Sequence, residues 1–141
     1  MIVSRITKTL SANDTGDTGG HQAGILVPKE PSILSFFPQL DANERNPRCH
    51  MVFEDDSGDR WELAFIYYNN RLFGGTRNEY RLTRMTRFIR QNQLEPGDEI
   101  VLEKLADGGW RIKSRRLKVA GQAEKGRFVL KLGSGWRVAD V

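Results

Sequence analysis

Residues 94–116 read LEPGDEIVLEKLADGGWRIKSRR, and this stretch decides the fold class. Pro96, Gly97 and Asp98 supply a turn before a strand, and Gly108 and Gly109 join that strand to a second one, WRIKSRR. It is the clearest hairpin in the chain. Working outward, residues 51–54 and 61–68 form a second hairpin around DDSGD, with Trp61, Leu63, Phe65 and Tyr67 on one face of its second strand and Glu62 and Ala64 on the other. Residues 2–10, rich in Ile, Val and Thr, suit a first strand, and residues 25–27 and 80–83 suit short ones. The stretch MTRFIRQNQL has the apolar spacing of a short helix through Met85, Phe88 and Ile89, with arginine on its exposed face. A second short helix, PSILSFF, follows Pro28 and Pro31, capped by Ser32 or the preceding turn and stopped by Pro38. A last strand is expected at residues 128–132, before the glycine-rich end GSGWRVADV, where a linker is expected to begin near Gly133.

Seven or so short strands, with helices too few and scattered to alternate with them, argue against a doubly wound parallel sheet. A mainly β, barrel-like sheet with one or two helices plugging its ends is the expected architecture. The 141 residues fit a single domain. With 38% hydrophobic and 28% charged residues the chain is a soluble globular type, and no run approaches the roughly 18 apolar residues of a membrane span. The start of the chain lacks a signal-peptide core, and Cys49 is the one cysteine, so a reducing cytosolic setting and a metal-free fold are expected.

Charge is unevenly placed. Residues 1–70 carry 6 Lys and Arg against 10 Asp and Glu, whereas residues 71–141 carry 16 against 8, so the net charge of +4 conceals a basic second half. A polyanion is therefore a candidate partner. Much of the excess lies in NRLFGGTRNEYRLTRMTRFIR, which holds Arg71, Arg77, Arg81, Arg84, Arg87 and Arg90 against one acid, Glu79, and no lysine. The planar guanidinium fork suits bidentate contact with phosphate or with the O6/N7 edge of guanine, and a carboxylate among such groups suits the N4 amino group of cytosine. The competing reading is that Glu79 pairs with a neighbouring arginine and keeps a solvated loop from repelling itself. The glycine-rich stretch SANDTGDTGGHQAG also has two readings: a flexible connection, or a loop whose backbone N–H groups approach phosphate while His21 or Gln22 reaches a base edge. It is not a Walker loop, since no Gly-Lys-Ser/Thr follows. Of the aromatic residues, Trp61, Trp110, Trp136, Phe36, Phe37 and Phe65 are expected in the core, and one of Tyr67 and Tyr68 is expected there with its neighbour facing a ligand.

Catalysis finds little support. The nearest imitation of a metal-dependent nuclease site is Asp98 with Glu103 and Lys104, but adjacent strand residues point to opposite faces. His21 and His50 lack partners at metal-ligand spacing, and Cys49 reads as a small buried hydrophobe. The acids Glu54, Asp55, Asp56 and Asp59 lack calcium-loop spacing and read as a solvated hairpin tip. No catalytic residue, metal or cofactor is expected.

Two segments carry more than composition. LSANDTGDTGGHQAG and YYNNRLFGGTRNEYRLTR resemble the two recognition arms of the N-terminal effector domain of EcoRII-type restriction endonucleases, and the hairpin after LEPGD is similar to one in the plant B-three transcription-factor domains of the same pseudobarrel class. The resemblance spans residues 10–116. It implies a seven-stranded open DNA-binding pseudobarrel with short helices at its ends, gripping double-stranded DNA and sending both arms into the major groove. Carried over by motif, the N-terminal arm contributes Ser11, Asn13, Asp14, Thr15, Gly20, His21 and Gln22. The C-terminal arm contributes Arg71, Arg77, Asn78, Glu79 and Arg81; Arg77, Glu79 and Arg81 read bases, and Arg71 and His21 support them. The implied site is CCWGG, W being A or T. The sequence departs from the pattern at Gly75 and Tyr80, where the EcoRII type carries basic residues. Phosphate contacts are expected from Arg84, Arg87, Lys113 and Arg115. The resemblance further implies a non-catalytic, monomeric effector domain of a prokaryotic cytoplasmic enzyme whose separate C-terminal nuclease domain, the part that uses magnesium, lies outside this chain. The alternative is a single-stranded RNA-binding or ribosome-associated barrel module using aromatic stacking platforms.

Overall fold

The computed structural model describes residues 1–16, 24–116 and 134–141. Among these, eight strands form one sheet: β1 (Ile2–Thr9), β2 (Ile25–Val27), β3 (Arg48–Glu54), β4 (Arg60–Tyr68), β5 (Glu79–Thr83), β6 (Glu99–Leu105), β7 (Trp110–Arg115) and β8 (Trp136–Val138). Their order is β2-β5-β4-β3-β7-β6-β1-β8, and every ladder is antiparallel except β3 with β7. Three short helices, α1 (Ala12–Thr15), α2 (Pro31–Leu34) and α3 (Thr86–Gln91), and a 3-10 turn (Asn70–Phe73) complete the described residues.

The hairpin that decides the fold class is β6–β7. Gly108 takes φ +94°, a conformation that favours glycine, while the Asp107 carboxylate accepts from Gly109 N at 2.9 Å and Leu105 N donates to Gly109 O at 2.8 Å. At the other end of β6, Gly97 N donates to Leu10 O and Leu10 N to Asp98 O, each at 2.9 Å, so the turn before β6 also fixes the end of β1.

Side chains of both sheet halves meet in one core that includes Ile6, Phe53, Leu63, Phe65, Leu82, Leu102 and Ile112. The helices add to it as expected: Ile33 from α2, Phe36 and Phe37 just after it, and Met85, Phe88 and Ile89 at and within α3 are all buried. Phe88 meets Trp61 edge-on at 5.1 Å, and Phe37 meets Trp136 edge-on at 6.2 Å. The edge strands β2 and β8 share no ladder. The Trp136 indole N–H instead donates to Leu26 O at 2.8 Å and bridges the two edges, which makes the sheet a nearly closed pseudobarrel.

Three local expectations change. Strand β4 buries Trp61, Leu63 and Phe65 as its alternation predicts, but Ala64 and Ile66 on the opposite face are buried too. Ile66 lies in register between Arg48 and Arg81, so it is flanked by residues of the two neighbouring strands on the outer face. The N-cap of helix α2 is Glu30, with no side-chain cap bond; Ser32 instead donates its hydroxyl to the Glu30 carboxylate at 3.1 Å. Strand β8 falls where the sequence reads as a glycine-rich end, because its three residues become a strand only by pairing with Ile6, Thr7 and Lys8 of β1. The strand expected at residues 128–132 lies outside the described residues.

Replacing Trp136 by Phe keeps a ring beside Phe37 but removes the donor to Leu26. Urea denaturation is expected to show a loss of about 1 kcal/mol for Trp136→Phe, and about 2–3 kcal/mol for Trp136→Ala, below the range of fully buried aromatic truncations.

Candidate nucleic-acid interface

The arginine-rich loop springs from the β4–β5 ladder. Tyr67 faces Tyr80 and Tyr68 faces Glu79 across that ladder, so strand alternation sends Tyr67 and Tyr80 inward and Glu79 and Arg81 outward. The inward rings stack in series. Phe37 lies on Phe65 at 4.5 Å, Phe65 on Tyr80 at 5.6 Å, and Tyr80 on Tyr67 at 4.2 Å, with interplanar angles of 8–14°. Burial, then the neighbouring Tyr67, pushes the Tyr80 hydroxyl above its ordinary pKa. The Tyr67 hydroxyl donates to Asn78 Oδ1 at 2.6 Å, and the Arg77 guanidinium lies 4.0 Å above the Tyr68 ring. One tyrosine thus packs inward and its neighbour supports an arginine.

The loop between the strands closes on itself. Arg71 N donates to Arg77 O at 2.9 Å, Asn70 Oδ1 accepts from Arg77 N at 2.8 Å, and Gly75 N donates to Asn70 O at 2.7 Å. Below it, the fully buried Asn69 donates to the carbonyls of Ala42 and Glu44 and accepts from Asn46 N at 2.7 Å. A side chain at Gly75 would meet the Asn70 side chain at 2.8 Å, so this departure from the EcoRII pattern belongs to the loop's packing. The other departure, Tyr80, belongs to the aromatic stack.

Arg77, Glu79 and Arg81 come together on the outer face. One Glu79 oxygen accepts from Arg77 Nη2 at 3.0 Å and from Arg81 Nε at 2.5 Å. Burial raises the Glu79 carboxyl, but the hydrogen bonds and charges of Arg81 and Arg77 outweigh it and hold the pKa below the ordinary glutamate value. Arg81 Nη1 also donates to Gly24 O at 2.9 Å. Gly24 is the last residue of the glycine-rich stretch, and it passes tightly against β5. It has φ +100°, and a Cβ there would lie 2.7 Å from Leu82 O and 2.8 Å from the Thr83 side chain. The roots of the two sequence motifs are therefore joined through one guanidinium.

The start of the glycine-rich stretch is more ordered than an exposed loop. Ser11 caps α1 in a reciprocal capping box: its hydroxyl accepts from Asp14 N at 3.1 Å and the Asp14 carboxylate accepts from Ser11 N at 3.0 Å. Asp14 is only 5% exposed and lies 3.3 Å from Lys8 Nζ, which also donates to Ser134 O at 2.7 Å. Ser11 and Asp14 thus shape the start of this stretch, while Asn13 is exposed beside them and Thr15 donates its hydroxyl to Ala12 O. Gly20, His21 and Gln22 lie outside the described residues.

The residues expected at phosphates are dispersed. Arg84 is exposed with φ +69°, its guanidinium 4.0 Å from Glu62, and Arg87 lies over the Trp61 ring at 5.2 Å. Lys113 and Arg115, on β7, face buried acids: Glu103 lies 2.8 Å from Arg5 and 3.7 Å from Lys113, and Glu99 lies 2.9 Å from Arg115 and 2.5 Å from Arg137. Carboxylates this buried need their cations, so much of the β7 basic charge is matched within the fold. Among the described residues, no cluster of three His, Cys, Asp or Glu is placed to hold a metal, and no helix is long and apolar enough to cross a membrane.

Comparison with known proteins settles the family. The family described as restriction endonuclease EcoRII, N-terminal, matches residues 3–102. The chain belongs to the EcoRII N-terminal family. It is 46% identical over 80 residues to the type II restriction enzyme EcoRII of Escherichia coli, a match covering 55% of this chain and 20% of that enzyme. It is also 31% identical over 114 residues to auxin response factor 16 of Arabidopsis thaliana, covering 81% of this chain and 16% of the factor. The chain thus spans no more than about a fifth of either relative. Among solved structures it shares its fold with a chain of the Arabidopsis FUS3–DNA complex, at TM-score 0.60 and 20% identity, covering 78% of this chain and 94% of that one. The pseudobarrel expected from the sequence is the fold observed.

Several residues that build the candidate interface escape sequence reasoning. Asn69, Lys8 and Gly24 act through long-range contacts, and only the Asn69–Asn70 pair ahead of the loop hinted at local anchoring. Glu79→Gln keeps the shape and removes the charge that both arginines face. Since the folded carboxyl titrates below its unfolded value, its stabilisation is complete above the ordinary glutamate range and is lost as pH falls through the folded value. The stability gap between wild type and Glu79→Gln, measured by thermal melts, is expected to shrink on acidification and to be constant at neutral pH. Gly24→Ala, which adds both strain and a clash, is expected to cost about 2 kcal/mol or more in the same assay.

Proposed function

We propose that this chain is a sequence-specific double-stranded DNA-binding domain for a CCWGG-like site, acting as the non-catalytic effector or specificity domain of a restriction endonuclease. The observation that carries the reading is the outward triad Arg77–Glu79–Arg81, tied through Arg81 to the root of the glycine-rich stretch. Two guanidinium groups offer paired donors for guanine O6 and N7, and the carboxylate between them offers an acceptor for cytosine N4. The ion pairs hold all three side chains in place before DNA arrives, which lowers the ordering cost of binding.

In this reading the two arms enter the major groove. Arg71 and His21 support the readers, Ser11, Asn13, Thr15, Gly20, Gln22 and Asn78 contribute from the arms, and Asp14 shapes the base of one of them. Arg84, Arg87, Lys113 and Arg115 serve register through phosphates, the last two by sharing themselves between DNA and their buried glutamates. The parent protein supplies nuclease chemistry from a C-terminal domain in the bacterial cytoplasm, and this domain works as a monomer without a cofactor. Similarity to EcoRII and to a fold neighbour solved with DNA supports this assignment. A single-stranded RNA module has weaker support, because Phe65, Tyr67 and Tyr80 stack on one another and are not free as platforms for bases.

Gel shifts with duplexes varied base by base around CCWGG test the proposal. Arg77→Ala and Arg81→Ala are each expected to lose about 1–3 kcal/mol of discrimination at one G·C pair. Lys113→Ala is expected to weaken all duplexes alike. Equal losses on CCWGG and scrambled duplexes for the triad variants would count against base readout, and magnesium-dependent cleavage by this chain would overturn its non-catalytic role.

A further inference from the structure

The tip of the arginine-rich loop carries two apolar side chains that the core does not use. Leu72 is 62% and Phe73 41% exposed, and among the described residues they are the one pair of consecutive, exposed large hydrophobics inside a loop. Neither belongs to the core or packs against it. The loop is shaped by backbone bonds and by Asn69 and Asn70, not by apolar packing of residues 72 and 73 against the core. Both lie in the loop segment between Arg71 and Arg77, which is closed by the Arg71 N to Arg77 O backbone bond.

Their surroundings indicate what would cover them. Arg45 lies 5.4 Å over the Phe73 ring and donates to Phe73 O, which fixes the ring while bringing a cation to its side; Arg71 adjoins the pair, and Arg77 closes the loop. An apolar protein partner would have to desolvate these guanidinium groups, whereas a polyanion welcomes them. Within the major groove of duplex DNA the apolar feature on a base edge is the C5-methyl group of thymine, and small apolar side chains and Phe are the groups that contact it.

We propose that Leu72 and Phe73 form an apolar reader of thymine C5-methyl groups, adding a methyl contact to the hydrogen bonding of Arg77, Glu79 and Arg81. This rests on the reading of the loop as a DNA-binding arm. Its energetic signature is small and specific. Burying one methyl is worth about a three- to fivefold change in affinity.

The test is a gel-shift titration of the full chain with CCWGG duplexes that carry either thymine or deoxyuridine at the central pair and at the flanking positions, a change that removes only the methyl group. Wild type is expected to bind the deoxyuridine duplex about three- to fivefold more weakly. The Leu72→Ser/Phe73→Ser variant, with an unchanged thermal melt, is expected to bind the thymine duplex with a similar loss and to be indifferent to the substitution. If wild type binds both duplexes equally while Arg77→Ala still loses G·C discrimination, the methyl contact is wrong and the DNA-binding reading stands. Uracil sensitivity that survives in the double variant also overturns the contact, by assigning the methyl to another group. If wild type does not distinguish CCWGG from a scrambled duplex, the arm reading fails and this inference fails with it.

Discussion

The stacked rings of Phe37, Phe65, Tyr80 and Tyr67 are the constraint on which the rest of the interface depends. They run from the core, where Phe37 packs beside the closing strand, along the β4–β5 ladder to the base of the arginine-rich loop. Because strand side chains alternate with a period of two, fixing Tyr80 inward fixes Glu79 and Arg81 outward. A slip of one residue would bury the charged pair and expose the ring. The stack therefore sets the register that presents the triad, and Tyr67 carries the constraint on to Asn78 through its hydroxyl.

Acidic groups organise the basic ones throughout the molecule. Glu79 gathers Arg77 and Arg81, Glu99 gathers Arg115 and Arg137, Glu103 gathers Arg5 and Lys113, and Asp14 holds Lys8. The settings differ in consequence. Glu99 and Glu103 are 2% and 0% exposed and need their cations to be buried at all, whereas Glu79 is partly exposed and gains little stability from its pairs. An ion pair that is weak in water and fixed in geometry suits exchange with a polar partner, since its groups are already oriented and their bonds are cheap to replace.

Local chemistry made much of this legible. The β6–β7 hairpin follows from its turn residues, α3 from the spacing of Met85, Phe88 and Ile89, and the division of labour between Tyr67 and Tyr68 from alternation. The grouping of Arg77, Glu79 and Arg81 follows from the same alternation, which puts residues 79 and 81 on one face. Both readings of Glu79, as a partner for arginine and as an acceptor for a base, describe one arrangement: the first is the geometry of the free protein and the second is the use proposed for it. What escaped notice was short in sequence and long in reach. Strand β8 has three residues and no pattern of its own, Ala64 and Ile66 are covered by neighbouring strands, and the capping box of α1 hides in a stretch dominated by glycine.

By itself the sequence determined the mainly β class, the turn positions, the basic second half and the inventory of side chains at the candidate interface. These follow from backbone propensity, side-chain periodicity and charge, which act within a few residues. Only the tertiary structure decided that Trp136 bridges the barrel's two edges, that Lys113 and Arg115 face buried glutamates, and that Arg81 joins one loop to the root of the other at Gly24. Each of these contacts links residues brought together by the closing of the sheet, and the energy that selects them is the burial of groups whose partners the local sequence does not contain.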